Sequence, residues 1–292
     1  MNKVITKRVF LLVLFLIPLF ISAQVTLEKE VKITDIGLHF NGRKVSSDTA
    51  PNSTTGYDYA FGPQISAHGD CVATYKNYVF VTWYKGGKTN RNMMLTRYNT
   101  ETGTIKTIEF PHKHTGFRNV WWIGESHNTI AVGVSPLDGT IHLLFDMHAY
   151  SRNRPSDGSL ANDYFRYSYS VPNAATVSDS EFTLDKFVKD NGVDGDYKHL
   201  RTPGSVAQSE FVALTYPSFF LNDQGDLLFF MREGGNNNGM YKFSKYDAAS
   251  GTWGNFIDFN RLNARSQSGI TYNWGLYGDI RYANGKIRIG FQ

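Results

Sequence analysis

From Tyr57 onward the apolar positions fall in short runs separated by Gly, Asn and Asp, the punctuation of β-strands and turns. Two of these runs, Ile130–Val134 and Ile141–Phe145, flank a turn at Pro136–Gly139 and predict an antiparallel hairpin. His127 stands just before the first run and His148 just after the second, so both imidazoles should emerge at the end opposite the turn. Two histidines at one end of a sheet suit proton transfer. Upstream, Val25–Ile33 alternates in the manner of a strand. No long amphipathic stretch is present; the best helical candidate, Ser178–Lys189, is short.

The pattern repeats. Asn77–Gly87 and Gly225–Gly235 are each an apolar strand ending in Gly-Gly, and each continues into a second strand and turn, Leu95–Gly103 and Phe243–Gly251. The Gly pairs, Tyr98 and Tyr246, and the closing glycines all match at one constant offset. Gly139–His148 and Asn284–Phe291 read as further copies of the first strand. Units of turn, strand, strand and turn at this scale predict an all-β chain folded as a β-propeller, with a β-sandwich as the alternative. In a propeller, equivalent strand ends gather at one end of the axis, which would bring Tyr84, His148 and Arg232 together. The chain ends inside a strand, and at roughly fifty residues per blade it supplies about five blades. We therefore expect an incomplete propeller, a piece of a longer one.

Composition changes the picture at the N-terminus. Lys3, Lys7 and Arg8 precede the apolar run Val9–Ile21 and then Ser22-Ala23. This is a signal peptide over residues 1–23 rather than an uncleaved anchor, and it leaves 24–292 as an exported domain, secreted or periplasmic in a bacterium, with no further membrane span. Removing those three cations takes the formal charge from +4 to +1, too little for a nucleic-acid partner. One cysteine, Cys71, cannot form an internal disulfide, so stability rests on a conventional core. The 17 Tyr, 21 Phe and 5 Trp are mostly core, although such rings also line sugar sites.

Among eight histidines, His127 and His148 are the best placed. His112 and His114 lie in a basic turn, solvated or at a substrate rim. His142, between apolar neighbours, reads as structural; His199 says little; His68, in a Gly-Asp turn, suits structure or site equally. A zinc reading of the pair would need a third ligand, for which Asp146 is near in sequence but not at a recognised spacing. Tyr216 precedes Pro217 and should be extended. Arg232 ends an apolar strand, either as an ion-pair partner of Asp146 or Glu233 or as a receptor for a ligand carboxylate. The loop Gly234–Gly239 is polar and flexible and lacks the features of a phosphate loop. Two His, one Tyr and one Arg without a carboxylate pair do not suit ordinary glycoside hydrolysis. They suit elimination from a uronic acid, which needs a base at C5, an acid at the C4-linked oxygen, and a cation on the carboxylate.

The block Gly124–Ala149, with His68-Gly-Asp, Val79–Gly87, Phe110–Phe117, Thr215–Phe220 and Met231–Gly239, resembles the propeller-type polysaccharide lyases that cleave ulvan, within the BNR-like propellers. The resemblance spans most of Gly62–Gln292. It implies a seven-bladed propeller, a secreted monomer acting on an acidic, rhamnose-rich polysaccharide, and no cofactor in catalysis. It assigns His127, His148 and Tyr216 to catalysis, Tyr216 with His127 in acid/base work and His148 as base or positioning group. Arg232 would neutralise the uronate. Apart from the resemblance, His68, Tyr84 and Asn128 are expected to contact substrate. Some relatives carry a structural zinc whose ligands this sequence does not place. Related rhamnosidase-like propellers use a single histidine, for which His68 would be the candidate; a non-catalytic glycan-binding propeller is the third alternative.

Overall fold

The computed structural model describes residues 27–291 apart from 67–69, 119, 149–164, 193–194, 235–239, 260–267 and 269–277. The signal segment, His68 and most of the Gly/Asn-rich loop thus lie outside the described residues. Residues 27–35 form a small unit of their own, and 36–292 the main one.

The main unit is all-β. In chain order, β1 (Asp58–Tyr59) is followed by β2 (Val72–Tyr75), β3 (Tyr78–Tyr84), β4 (Asn92–Asn99) and β5 (Ile105–Lys113), the last four forming one antiparallel sheet in sequence order. β6 (Ile123–Gly124) pairs parallel with β1. β7 (Ile130–Val134), β8 (Ile141–Phe145) and β9 (Tyr167–Tyr169) make a second antiparallel sheet. A third contains β10 (Leu214–Leu221), β11 (Leu227–Glu233) and β12 (Met240–Asp247), with β13 (Thr252–Trp253) and β14 (Ile257–Asp258) both on β12. β15 (Gly278–Ala283) and β16 (Lys286–Phe291) close the series as a hairpin. The first strands of successive sheets touch one another: β2 against β7, β7 against β10, β10 against β15.

The hairpin forms residue for residue as its apolar runs predict, and both strands are wholly buried. Its turn is closed by Gly139 N–H donating to Ser135 O at 2.8 Å, by Asp138 accepting the N–H and hydroxyl of Thr140, and by Gly139 at φ 69°, a conformation that suits glycine. The internal repeat is also real. β4 and β12 occupy matching positions, and each ends in the same turn, with Gly103 N–H donating to Asn99 O at 2.8 Å and Gly251 N–H to Asp247 O at 2.9 Å.

Two expected elements do not form. Within Ser178–Lys189 only the single 3₁₀ turn Leu184–Lys186 is helical, and the described residues contain no α-helix. Residues 27–33 make no strand among the described residues, because alternation supplies a pattern but not a ladder to join.

The sheets are stitched together by apolar packing and by buried polar links. One core joins β3, β4 and β5 to the hairpin through Phe80, Leu95, Phe110, Val132, Leu143 and Phe145; a second gathers Leu144, Tyr167, Phe229 and Trp253. The Thr82 hydroxyl donates to Ile130 O at 2.8 Å, tying β3 to β7. At Gly133 a Cβ would come within 2.6 Å of the Phe219 ring, so only glycine lets β7 approach β10 this closely. His142 is structural, as its apolar neighbours predict: it is fully buried, with Nδ1 2.6 Å from the Tyr167 hydroxyl.

Burial pushes the His142 pKa down to about 3. As pH falls below the ordinary histidine value of 6.5, the unfolded chain takes up a proton here and the folded one does not. Stability present above that pH is therefore lost on acidification, by about 1.4 kcal/mol per pH unit for each such histidine. Thermal unfolding followed between pH 7 and 4 should show a shallower decline for His142→Gln than for the parent chain. An unchanged slope would mean that His142 is not the group resisting protonation.

Candidate active site

The hairpin, β10 and β11 deliver four side chains to one place. Antiparallel pairing sets His127 and His148 at the same end, and their rings stack with centroids 4.3 Å apart. Beyond β8 the chain bridges to Thr215 of β10, and Thr215 stands across from Arg232 of β11. The Thr215 hydroxyl reinforces the junction by donating to Met147 O at 3.2 Å. This backbone relay brings residues distant in sequence into one cluster.

Tyr216 reaches the cluster by an irregularity. The β10–β11 register shifts between Thr215 and Ser218, and Tyr216 sits at φ 54° rather than in the extended conformation its following proline favours. A bulge that leaves Tyr216 and Pro217 out of the ladder re-aims the tyrosine towards the histidines. Its hydroxyl lies 3.2 Å from His148 Nε2. Arg232, 4% exposed, holds its guanidinium carbon 5.9 Å from the Tyr216 ring centroid.

The group that organises the cluster is Glu125, which sequence reasoning passed over. Its side chain is fully buried, with Oε1 2.6 Å from His127 Nδ1 and Oε2 3.1 Å from His148 Nδ1. The His127 N–H also donates to Oε1 at 3.0 Å. A carboxylate can only accept, so both imidazoles carry their proton on Nδ1 and, when neutral, present Nε2 as a lone pair. The only signal in the sequence was an acid two residues before His127. Phe61 was missed as well: this ring is 44% exposed and packs edge-on against His127 and His148, at 5.0 and 6.0 Å.

The other expected residues sort differently. Tyr84 is 4% exposed and packs against His114 at 5.0 Å, so it supports the site from beneath and offers a saccharide no surface. Asn128 is fully buried; its side chain donates to Gly116 O at 3.2 Å and its backbone N–H to Glu125 O at the same distance, a clamp on the Glu125 turn rather than a substrate contact. His68 lies outside the described residues. His114 is neither solvated nor at a rim: it is fully buried, accepts the Gly116 N–H on Nδ1 and donates from Nε2 to Glu125 O at 2.9 Å. Asp146 is turned away from the pair, accepting the Thr115 N–H and lying 3.9 Å from Arg166, while Glu233 takes Lys242 at 2.5 Å. Glu125 thus replaces Asp146 as the carboxylate beside the histidines. Its donor atoms and theirs lie within 4.8 Å of one another, a set that could also accept a divalent ion.

Burial lowers the His148 pKa, with His127 and Arg232 acting in the same direction and Glu125 opposing. His148 is therefore neutral at pH 7, and its Nε2 accepts from the Tyr216 hydroxyl. The arrangement couples a tyrosine to a carboxylate-held imidazole, beside a second imidazole and an arginine.

With this geometry in hand, comparison places the chain. The profile of BNR repeat-containing family members matches residues 78–273. The chain belongs to this family. It is 57% identical over 279 residues to the long isoform of an ulvan lyase from Alteromonas sp., covering 93% of this chain and 28% of that protein. It is 54% identical to the short isoform from Alteromonas sp. (strain LOR), covering 93% and 53%. The chain thus spans about half of the short isoform and little more than a quarter of the long one. The crystal structure of polysaccharide lyase Uly1 superposes with a TM-score of 0.84 at 51% identity, over 92% of this chain and 58% of that one. A PL25 ulvan lyase superposes at 0.51 with 14% identity over 81% of this chain and 46% of that one, a likeness of fold.

If Glu125 holds the His148 proton on Nδ1, removing its charge lowers the His148 pKa further. In metal-free protein, histidine resonances titrated by NMR should show His148 shifted to lower pH in Glu125→Gln. A value unchanged or raised would contradict the assigned bond.

Proposed function

We propose that this BNR-family chain is the catalytic part of an exported bacterial lyase that cleaves ulvan-like polysaccharide by β-elimination at a uronic acid. The observation carrying this is the Tyr216 hydroxyl on the Nε2 of a carboxylate-held His148, with His127 stacked on that imidazole and Arg232 beside the tyrosine. In this scheme Arg232 receives the uronate carboxylate and stabilises the charge that develops as C5–H is removed. His127, its Nε2 lone pair kept outward by Glu125, takes that proton. The C5–H electrons form the C4–C5 double bond, the C4–O bond breaks, and Tyr216 protonates the leaving oxygen. Proton exchange through His148 restores the tyrosine. The scheme routes no step through a metal. All the groups come from one chain, in keeping with a monomer.

Hydrolysis is supported less well. It wants two carboxylates flanking the bond, and Glu125, the carboxylate at the cluster, is buried beneath both imidazoles. For the fold, we propose that the three larger sheets and the final hairpin are four blades of a propeller, seven in the family form. The mutual contact of first strands and the matched turns of the repeat support that arrangement.

Incubation with ulvan should raise ultraviolet absorbance through the unsaturated uronate product. Reducing sugar without that absorbance would select the hydrolase, and binding without product the glycan-binding propeller. Tyr216→Phe should cut turnover by at least about 10²-fold while leaving affinity largely intact; full activity would remove Tyr216 from the mechanism.

The pH profile supplies a separate check. Because burial lowers the His148 pKa, its protonation, which ends its acceptance from Tyr216, should depress kcat/KM only below the ordinary histidine range. An acid limb already complete at pH 7 would exclude this role.

A further inference from the structure

The cluster opens to solvent beside Phe61. The His148 and His127 side chains are 16% and 21% exposed, and Phe61 next to them is 44% exposed. Single exposed apolar side chains are ordinary on a protein surface. Phe61 differs because its ring touches both imidazoles, at 5.0 and 6.0 Å between centroids. An apolar ring kept in water at the lip of a proton-transfer site gains free energy once a ligand covers it.

The ring is also held in place. Phe61 follows β1, whose pairing with β6 sets Tyr59 across from Gly124. The Ala60 N–H donates to Gly124 O at 2.9 Å, and the Ser66 N–H donates to Ser126 O. The chain on either side of Phe61 is thus stapled to the residues that flank Glu125. Buried Phe117 supports the ring from within, with centroids 5.6 Å apart. Phe117, His127 and His148 all meet it at steep angles, 62° to 85°, edge-on rather than stacked. A ring so fixed loses little freedom when a ligand settles on it.

Phe61 does not suit the uronate. The elimination scheme places the carboxylate at Arg232, beside Tyr216, and the negative face of a benzene ring repels an anion. What such a face attracts is a patch of C–H bonds, whose hydrogens carry slight positive charge. A 6-deoxy sugar offers a larger patch than other hexoses, because a methyl group replaces its hydroxymethyl. Distance limits which sugar of the polymer can be involved. A ring in van der Waals contact with Phe61 lies about 4 Å from it, and hence within about 9 Å of the His127 ring. That is the sugar being cleaved or its immediate neighbour.

We propose that Phe61 is the platform for the 6-deoxy sugar adjacent to the cleaved uronate. It packs against the methyl-bearing face of that sugar and so selects the linkage presented to His127 and Tyr216. This deepens the lyase reading and rests on it for the identity of the polymer. Arg232 recognises the acid and Phe61 its deoxy neighbour, so the two read an alternating chain in register.

The test is calorimetric titration of the Tyr216→Phe chain with a rhamnose-containing oligosaccharide cut from ulvan. Adding Phe61→Leu, which keeps an apolar side chain but removes the ring, should weaken binding about five- to tenfold, the scale of one aromatic contact. Phe61→Tyr, which restores a ring, should recover most of that loss. In NMR spectra of the complex, Overhauser contacts should join the Phe61 ring to the sugar methyl and vanish in Phe61→Leu. Affinity of Phe61→Leu within twofold of its parent, or contacts from Phe61 to uronate protons alone, overturns the platform. Failure of the lyase reading shows separately: with Tyr216 intact, ulvan gives no ultraviolet product although the Phe61 contacts persist.

Discussion

A carboxylate taken fully out of water must be matched by donors, and Glu125 is matched by two imidazoles and a backbone N–H. Everything at the site follows from that obligation. The bonds orient both rings, place both protons on Nδ1, and make each neutral ring's Nε2 an acceptor, that of His148 facing the Tyr216 hydroxyl. Glu125 is itself fixed by its surroundings, because its backbone carbonyl accepts from buried His114 and from Asn128. Asn128 and Tyr84 therefore matter to the site without facing it. They hold the turn in the one geometry that lets a single acid serve two histidines.

Tyr216 shows the opposite economy. A non-glycine residue at positive φ ahead of a proline is held against its local preference, and the surrounding sheet must over-determine it. Here β10 is pinned on both sides of the irregularity, by the Thr215 bridge to His148 and by the regular pairing of Ser218–Leu221 with β11. Strain is concentrated at the residue whose hydroxyl meets His148, which is where irregular backbone usually has a chemical use.

The charged groups are also divided between two compartments. Glu125 serves the histidine pair, while Asp146, only two residues before His148, faces Thr115 and Arg166 on the far side of the strand end. Regular alternation would put Asp146 and His148 on one face; Asp146 at φ 56° leaves the extended path just past β8, and the two side chains part there. The result is one carboxylate committed to the histidine pair and another committed to the Thr115 turn.

Much of this was legible in the residues themselves. Period-two apolar runs with turn chemistry specify a strand locally, so the hairpin and its ends were readable, and a repeated pattern exposed the matching of β3–β4 with β11–β12. That placed His127, His148 and Arg232 at neighbouring strand ends, and the residue types around them excluded a carboxylate pair. What local pattern does not encode is which side chain loses its water. Glu125, Asp146 and His114 look alike as polar residues in short loops, and only packing decides that the first is buried between two rings, the second is turned away and the third supports the first. The bulge at Tyr216 is a matter of register between strands, and Phe61 arrives from a separate part of the chain. Sequence by itself determined the strands, their repetition and the chemistry on offer; tertiary structure decided burial, and with it which groups carry charge and where each proton resides.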